Sequence, residues 1–298
     1  GYDPSSWMRR MSLRSNLDFQ LAKTFKVSLN LASYAEKINM PCVGSMYKDD
    51  NHMMTDLIYQ SLTIKPMSPG PTTISEFGVA DGALVDYKYL DRSAFEVMNR
   101  RGFNRQDKKN LNTQLTLDWD LGMLITPGLS LKGMVAYDTY NWGLLQGYKK
   151  EITYVTNIDY ERDELTYELY NSDVTELSLS SGRKSNYRVN FQGSVNYNRT
   201  FDGRHDVTGM VIAHRDYWET ESAEIPYNVI GLSARATYAF DDRYLVEANI
   251  GYNGSEQFAP GKRFGLFPAF SLGYIVSNES FMKDNAVISW LKLRGSWG

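Results

Sequence analysis

The residue types that most often carry chemistry are scarce in this sequence. It contains three histidines, His52, His205 and His214, and their spacing matches no metal-ligand motif. Its one cysteine, Cys42, can form neither an internal disulfide nor a Cys-x-x-Cys metal site. A Gly-x-Ser-x-Gly nucleophile elbow and a phosphate-binding P-loop are also missing. We therefore predict no catalytic residue, no metal and no cofactor.

Aromatic side chains are the better candidates for ligand contact. A ring can pack against the C–H face of a sugar or against a peptide side chain, while the polar groups of the ligand form hydrogen bonds nearby. Trp142 and Tyr148 begin a long predicted connection, Trp218 lies in the polar phase of a predicted strand, and Phe258 lies in a loop. These four residues are our predicted substrate-binding residues.

The elements that would position these residues are β-strands. Successive side chains of a strand point to opposite faces, so a half-buried strand alternates in polarity. From 186 to 197, for example, apolar or aromatic side chains and glycine occupy the odd positions, and polar side chains occupy the even positions. Ten segments follow this pattern, at 12–21, 25–39, 108–121, 129–140, 184–201, 206–219, 228–240, 243–254, 264–276 and 290–297.

The apolar phase of these strands carries no charge in its central parts, although 22% of the residues are charged. The opposite phase carries Arg14, Asp18, Lys132, Arg188, Glu247 and Arg294. A charge facing mid-bilayer lipid costs about 2–4 kcal/mol, so this contrast is typical of a membrane-spanning sheet. A net charge of −3 leaves no basic surface that would indicate nucleic-acid binding.

Connection lengths also favour a membrane barrel. Short predicted turns at 22–24, 202–204 and 241–242 alternate with long connections at about 40–107 and 141–182. Outer-membrane barrels combine short periplasmic turns with long extracellular loops. We predict an all-β protein whose ten strands belong to a transmembrane antiparallel β-barrel.

Two other interpretations stay open at this point. A self-contained ten-stranded outer-membrane hydrolase would need histidine and carboxylate groups above the barrel, and His52 near Asp49, Asp50 and Asp56 is the one such cluster. A soluble β-sandwich that serves as a binding module would also show alternation.

The C-terminal part of the sequence resembles a known family. The segment RYLVEANIGYNGSEQFAPGKRFGLFPAFSLGYIVSNESFM, from Arg243 to Met282, is similar to a barrel signature of SusC/RagA-like TonB-dependent transporters. Tyr244, Ala248 and Asn249 match its first strand, and Arg263, Gly265, Phe267 and Pro268 match its second. Leu291 to Gly298, LKLRGSWG, is similar to the next strand of the family.

This resemblance implies a 22-stranded barrel in the outer membrane, of which residues 1–298 supply about ten strands. We expect the plug domain and the C-terminal strands to lie outside this sequence, together with the N-terminal region that contacts TonB. The resemblance further implies TonB-dependent import of oligosaccharides or oligopeptides, with a SusD-like surface lipoprotein as partner and no enzymatic activity. The connection at 40–107 is then the candidate contact with that lipoprotein.

Overall fold

The computed structural model describes residues 5–42, 57–59, 61–64, 70–87, 93–162, 164–221, 225–282 and 287–298. Most of these residues lie in thirteen β-strands: β1 (Trp7–Ala22), β2 (Phe25–Pro41), β3 (Leu84–Val85), β4 (Gly102–Asp120), β5 (Leu129–Lys150), β6 (Thr153–Asp159), β7 (Glu164–Asn171), β8 (Thr175–Phe201), β9 (His205–Glu219), β10 (Tyr227–Phe240), β11 (Tyr244–Ser255), β12 (Phe264–Ile275) and β13 (Lys292–Trp297).

Helical structure is sparse. Helix α1 (Ala94–Asn99) begins at Ser93, whose side chain accepts a hydrogen bond from the backbone N–H of Glu96. Residues 57–59 and 61–63 are also helical, while Asp56 and Gln60 lie outside the described residues. None of the helices in the described ranges is long and apolar enough to cross a bilayer.

Ten strands form one large sheet in the order β1-β2-β4-β5-β8-β9-β10-β11-β12-β13. Each corresponds to one of the ten predicted strands, which confirms the predicted all-β class. Within the part of the chain that the structure describes, β1 and β13 are the two edges of the sheet, and no pairing closes it. A ten-stranded barrel complete in itself, as the hydrolase interpretation requires, is therefore not what this chain forms.

Cross-strand register gives this sheet two chemically different faces. Val195, Val211, Ala234 and Ile250 oppose one another on four neighbouring strands, so their side chains share one face. The residues one position away, such as Ser194, Ile212 and Ser233, share the other. We call the first the apolar face and the second the polar face.

The chain divides into two compact units. The second unit contains residues 12–34, 110–140 and 185–298. Here large side chains of the apolar face, including Phe191, Val211, Leu232, Ile250 and Leu272, are exposed. A β-sandwich would bury this face against a second sheet. The exposure of these side chains instead matches a wall that faces lipid.

The first unit contains residues 1–11, 35–109 and 141–184 and has a conventional buried core. Leu84, Val85 and Val97 are fully buried there, with Phe103 and Leu144 almost so. Strands β3, β6 and β7 form a small separate sheet in this unit. The connection predicted at 141–182 is thus mostly strand, because β5 continues to Lys150 and β8 begins at Thr175.

Tight turns join the strands of the second unit where they were predicted. Asp202 and Gly203 have φ of 51° and 64°, and Asp241 and Asp242 both have φ of 52°. Asp and Gly tolerate this left-handed conformation better than other residues do.

One ionic cluster spans these turns. Arg204 donates two hydrogen bonds of 2.5 Å to the Asp241 carboxylate, which also pairs with Arg243. Arg243 in turn donates to Glu279 at 2.9 Å. The hydrogen bonds from Arg204, and then those from Arg243, hold the pKa of the Asp241 carboxyl well below its usual range.

Candidate substrate-contact residues on the polar face and in the loops

The polar face is lined with cross-strand ion pairs. Nε of Arg188 lies 2.8 Å from an Asp216 oxygen, and a second nitrogen of the same guanidinium contacts the other oxygen. Arg235 pairs with Glu247 at 3.0 Å. These pairs place charged groups with opposite signs next to one another along this face.

Trp218 lies on this polar face, as its sequence phase predicted. Its ring stacks on Tyr227 with centroids 4.9 Å apart and an interplanar angle of 4°. The Arg188 guanidinium lies 5.7 Å from the same ring centroid. Because β8 and β10 flank β9 on opposite sides, these two neighbours cover opposite faces of the indole. The ring therefore offers its edge, and not a free face, to a ligand.

A shallow cavity of about 290 Å³ lies beside Trp218. Asp138, Tyr140, Asn186 and Arg188 contribute to its lining. Thr139 closes one side by donating a hydrogen bond to the backbone oxygen of Asn186 at 3.2 Å. Carboxylate, amide, guanidinium and phenol groups thus meet at one place, which suits a polar oligomer with alternating donors and acceptors.

Phe258 is the most exposed of the four predicted contact residues, at 60%. It lies in the turn between β11 and β12, and its N–H donates to the Ser255 backbone oxygen at 3.3 Å. Its own backbone oxygen accepts from Nε of Arg263 at 3.2 Å. The backbone is therefore anchored while the ring is left exposed, as a first-contact residue requires.

Trp142 and Tyr148 both lie in the first unit, and both are half-buried. Nε1 of Trp142 donates to Oε1 of the buried Gln106 at 3.0 Å. The Arg101 guanidinium lies 5.5 Å from the Tyr148 ring centroid. These contacts fix the orientation of both rings, and part of each ring remains accessible.

The histidines form no site in the described residues. His205 contacts the hydroxyl of Tyr238 at 2.8 Å through Nδ1 and lies on the apolar face beside Phe240. His214 lies on the polar face, opposite Gln192 and Gly231. His52 with its neighbouring aspartates lies outside the described residues. Across the described ranges no group of three or more His, Cys, Asp or Glu side chains is placed to hold a metal ion.

Sequence reasoning missed Tyr227 and Arg188 as partners of Trp218. Nothing in the sequence next to either residue marks it as a partner of Trp218, and Arg188 and Trp218 are 30 positions apart. The signal that could have found them is strand register, since Trp218 opposes Arg188 on one side and Tyr227 on the other. An aromatic residue with a directly opposed cation and a directly opposed ring is expected to form a cross-strand stack.

Comparison with known proteins yields relatives of one kind. No family model matches the chain. TonB-dependent receptor P39 of Formosa agariphila is 26% identical over 253 residues, which cover 73% of this chain and 22% of that protein. TonB-dependent receptor SusC of Bacteroides thetaiotaomicron is 37% identical over 70 residues, which cover 24% of this chain and 7% of that protein. The chain thus spans a minor part of these relatives, both of which are named as TonB-dependent receptors.

Solved structures with the same fold agree with these sequence relatives. The RagAB peptide importer in its open-open state superposes with a TM-score of 0.62 and 14% identity, over 98% of this chain and 32% of that chain. Its closed-closed state superposes with a TM-score of 0.61 and 15% identity, again over 98% of this chain and 32% of that chain. At this identity the likeness concerns the fold, while the receptor names come from the sequence matches. The chain is thus similar in sequence to TonB-dependent receptors, SusC among them, and similar in fold to part of the RagAB peptide importer.

Proposed function

We propose that the protein containing this chain imports a nutrient oligomer across the outer membrane by TonB-dependent transport. The observation that carries the proposal is the two-faced sheet. Its apolar face leaves residues such as Phe191 and Leu232 exposed, and its polar face carries ion pairs such as Arg188 with Asp216. In a barrel, the first face contacts lipid and the second lines the lumen.

The cargo in this proposal is an oligosaccharide or an oligopeptide. The cavity beside Trp218 offers both donors and acceptors together with one aromatic edge, and Phe258 offers an exposed ring. Peptides and sugars both use such mixed surfaces. RagAB is named as a peptide importer, which makes peptides the first class to test.

A SusD-like lipoprotein and TonB are the partners in this proposal. Both partners are inferred from the similarity to SusC/RagA-like receptors. The surface that contacts the lipoprotein would lie on the first unit. Tyr160, Leu169 and Val174 are exposed in the strands and turns of that unit. These three exposed side chains are the candidate contacts with the lipoprotein. Trp142 and Tyr148 belong to the same unit and are the proposed ligand contacts there.

The test is purification of the full-length protein from outer membranes in mild detergent, followed by mass spectrometry of everything that co-purifies. We expect a lipoprotein in equal amount and a bound oligopeptide or glycan. A strain without the protein should lose uptake of that oligomer and regain it with the wild-type copy. Purification without any partner, together with unchanged uptake in the deletion strain, would refute the proposal.

A further inference from the structure

Besides a depression of about 550 Å³ around Gly209, the apolar face of the second unit carries one that has an arginine at its edge. It has a volume of about 660 Å³ and lies where β5, β8 and β9 carry Gly133, Gly193 and Ala213. Leu115 and Leu117 border it on one side, and Tyr252 and Phe264 on the other. Its size lies within the range of about 300–1,000 Å³ that small-ligand pockets occupy.

A cation lies at the edge of this depression. Arg215 has the phase of the apolar face, between Phe191 on β8 and Ile230 on β10. Its Nε donates to Oδ1 of Asn228 at 3.1 Å. Among the described residues, the two terminal nitrogens of its guanidinium have no acceptor, so they are free to bind an anion.

The height of Arg215 on the wall agrees with the level of lipid headgroups. It lies ten positions from His205, the polar residue at the turn end of the same face. At about 3.3 Å per residue and a tilt of roughly 40°, the two lie about 25 Å apart in height, the height of the apolar band of an outer-membrane barrel.

An aromatic row agrees with that level. The rings of Tyr137, Tyr187 and Tyr217 follow one another across three strands, with centroids 6.4 and 5.9 Å apart. Tyrosine rows of this kind lie at the interface between hydrocarbon and headgroups. Tyr217 is two positions beyond Arg215 on β9, so Arg215 lies just inside the row.

Other charges near Arg215 are already engaged. The Glu219 carboxylate accepts a hydrogen bond of 2.7 Å from the Tyr187 hydroxyl. The Glu256 carboxylate accepts one of 2.8 Å from the amide of Asn228. Arg215 is therefore the nearby group with unused donors, and a planar guanidinium binds phosphate oxygens in pairs.

We infer that this depression is a binding site for one membrane lipid with a phosphate headgroup. An acyl chain fills the space over Gly193 and Ala213, and the phosphate binds the terminal nitrogens of Arg215. The inference rests on the proposed membrane location of the sheet. It is separate from transport, because the site lies on the apolar face and the proposed cargo contacts lie on the polar face and in loops.

The test is native mass spectrometry of the full-length protein, stripped of lipid and then exposed to phosphatidylglycerol or to diacylglycerol, which has the acyl chains without the phosphate. We expect preferential retention of phosphatidylglycerol. Arg215→Gln should weaken that retention by about tenfold, the effect of losing a charge-assisted hydrogen bond. Gly193→Leu should reduce retention of both lipids, and it can fold because no atom lies within 4 Å of an added Cβ.

Matched controls separate the site from general effects. Gly209→Leu adds the same side chain to the same face in the neighbouring depression, again with no atom within 4 Å of its Cβ. Arg235→Gln removes a charge from the polar face. Neither control should change lipid retention.

Several results would overturn the inference. One is that the wild type retains both lipids equally and that Arg215→Gln retains each of them as well as the wild type does. Another is displacement of the lipid by inorganic phosphate, which would indicate a site for the free ion. A third is loss of a protein dimer in Gly193→Leu, which would assign the depression to a second copy of the chain. Uptake measured in the same strains distinguishes these failures from failure of the transport proposal.

Discussion

A charge placed at mid-height on the apolar face should destabilise the barrel by several kcal/mol, while the same charge one position away should cost much less. Val211 and Ile212 form the matched pair for this comparison. Both are β-branched and apolar, and they lie about halfway between His205 and Arg215 on β9. Val211 opposes Val195 and Ala234 on the apolar face, with 47% of its surface exposed. Ile212 opposes Ser194 and Ser233 on the polar face.

Val211→Arg should lower the free energy of unfolding in lipid by about 2–4 kcal/mol, the cost of an arginine at the bilayer midplane. This corresponds to a folded-to-unfolded ratio lower by roughly 30- to 900-fold. Ile212→Arg should lower the free energy of unfolding by less than about 1 kcal/mol. Its guanidinium can reach the water of the lumen, and the neighbouring side chains on that face are already polar.

The assay is urea-induced unfolding of the full-length protein in vesicles, followed by tryptophan fluorescence and by the gel mobility of unheated samples. Equal destabilisation by the two arginines would refute the assignment of the faces. Greater destabilisation by Ile212→Arg would reverse it, placing lipid on the side that carries the ion pairs.

Three further predictions concern a turn charge, a loop ring and a glycine. Asp241→Asn should lower the melting temperature at pH 7 through loss of the Arg204 pair. Because the folded pKa of Asp241 is depressed, its contribution is complete above a pH of about 4 and disappears as the pH falls, so the difference should shrink in acid. Phe258→Ala should weaken oligomer binding in calorimetry without changing the melting temperature, since the ring is exposed. Gly128→Ala should destabilise far more than Gly203→Ala in the same urea assay, because its added Cβ would lie 2.0 Å from the Asn198 oxygen.

Strand positions in the second unit could be predicted from the sequence with small errors. The segments predicted at 206–219, 228–240 and 264–276 are strands β9 (205–219), β10 (227–240) and β12 (264–275). These strands have one polar and one apolar face along their whole length. The two environments impose alternation on every pair of neighbouring residues, and alternation is what a sequence displays.

Strand positions in the first unit could not be predicted in this way. Strand β4 begins at Gly102, six positions before the predicted start, and residues 102–104 are all buried. Gln146 and Gly147, both buried, lie in the missed extension of β5. When both faces of a strand are covered, the alternation disappears and the segment resembles a loop.

The candidate site was predictable in residue type but not in arrangement. Aromatic composition indicated Trp218 as a ligand contact, and its phase indicated the polar face. That its two ring faces are covered by Arg188 and Tyr227 depended on a register that the sequence does not display. Ligand contact at Trp142, Tyr148, Trp218 and Phe258 stays a prediction for the binding experiments above.

Two properties follow from the sequence alone, namely the fold class and the presence of one lipid-compatible face, since both depend on the local period of polarity. The tertiary structure decided which strands neighbour one another, and therefore which distant residues meet. It joined Arg188 to Asp216, 28 positions away, and it placed Gly193 beside Ala213 below Arg215. Hydrogen bonding between strands is set by register across the whole sheet, so sites made by opposed residues exist only once the sheet has formed.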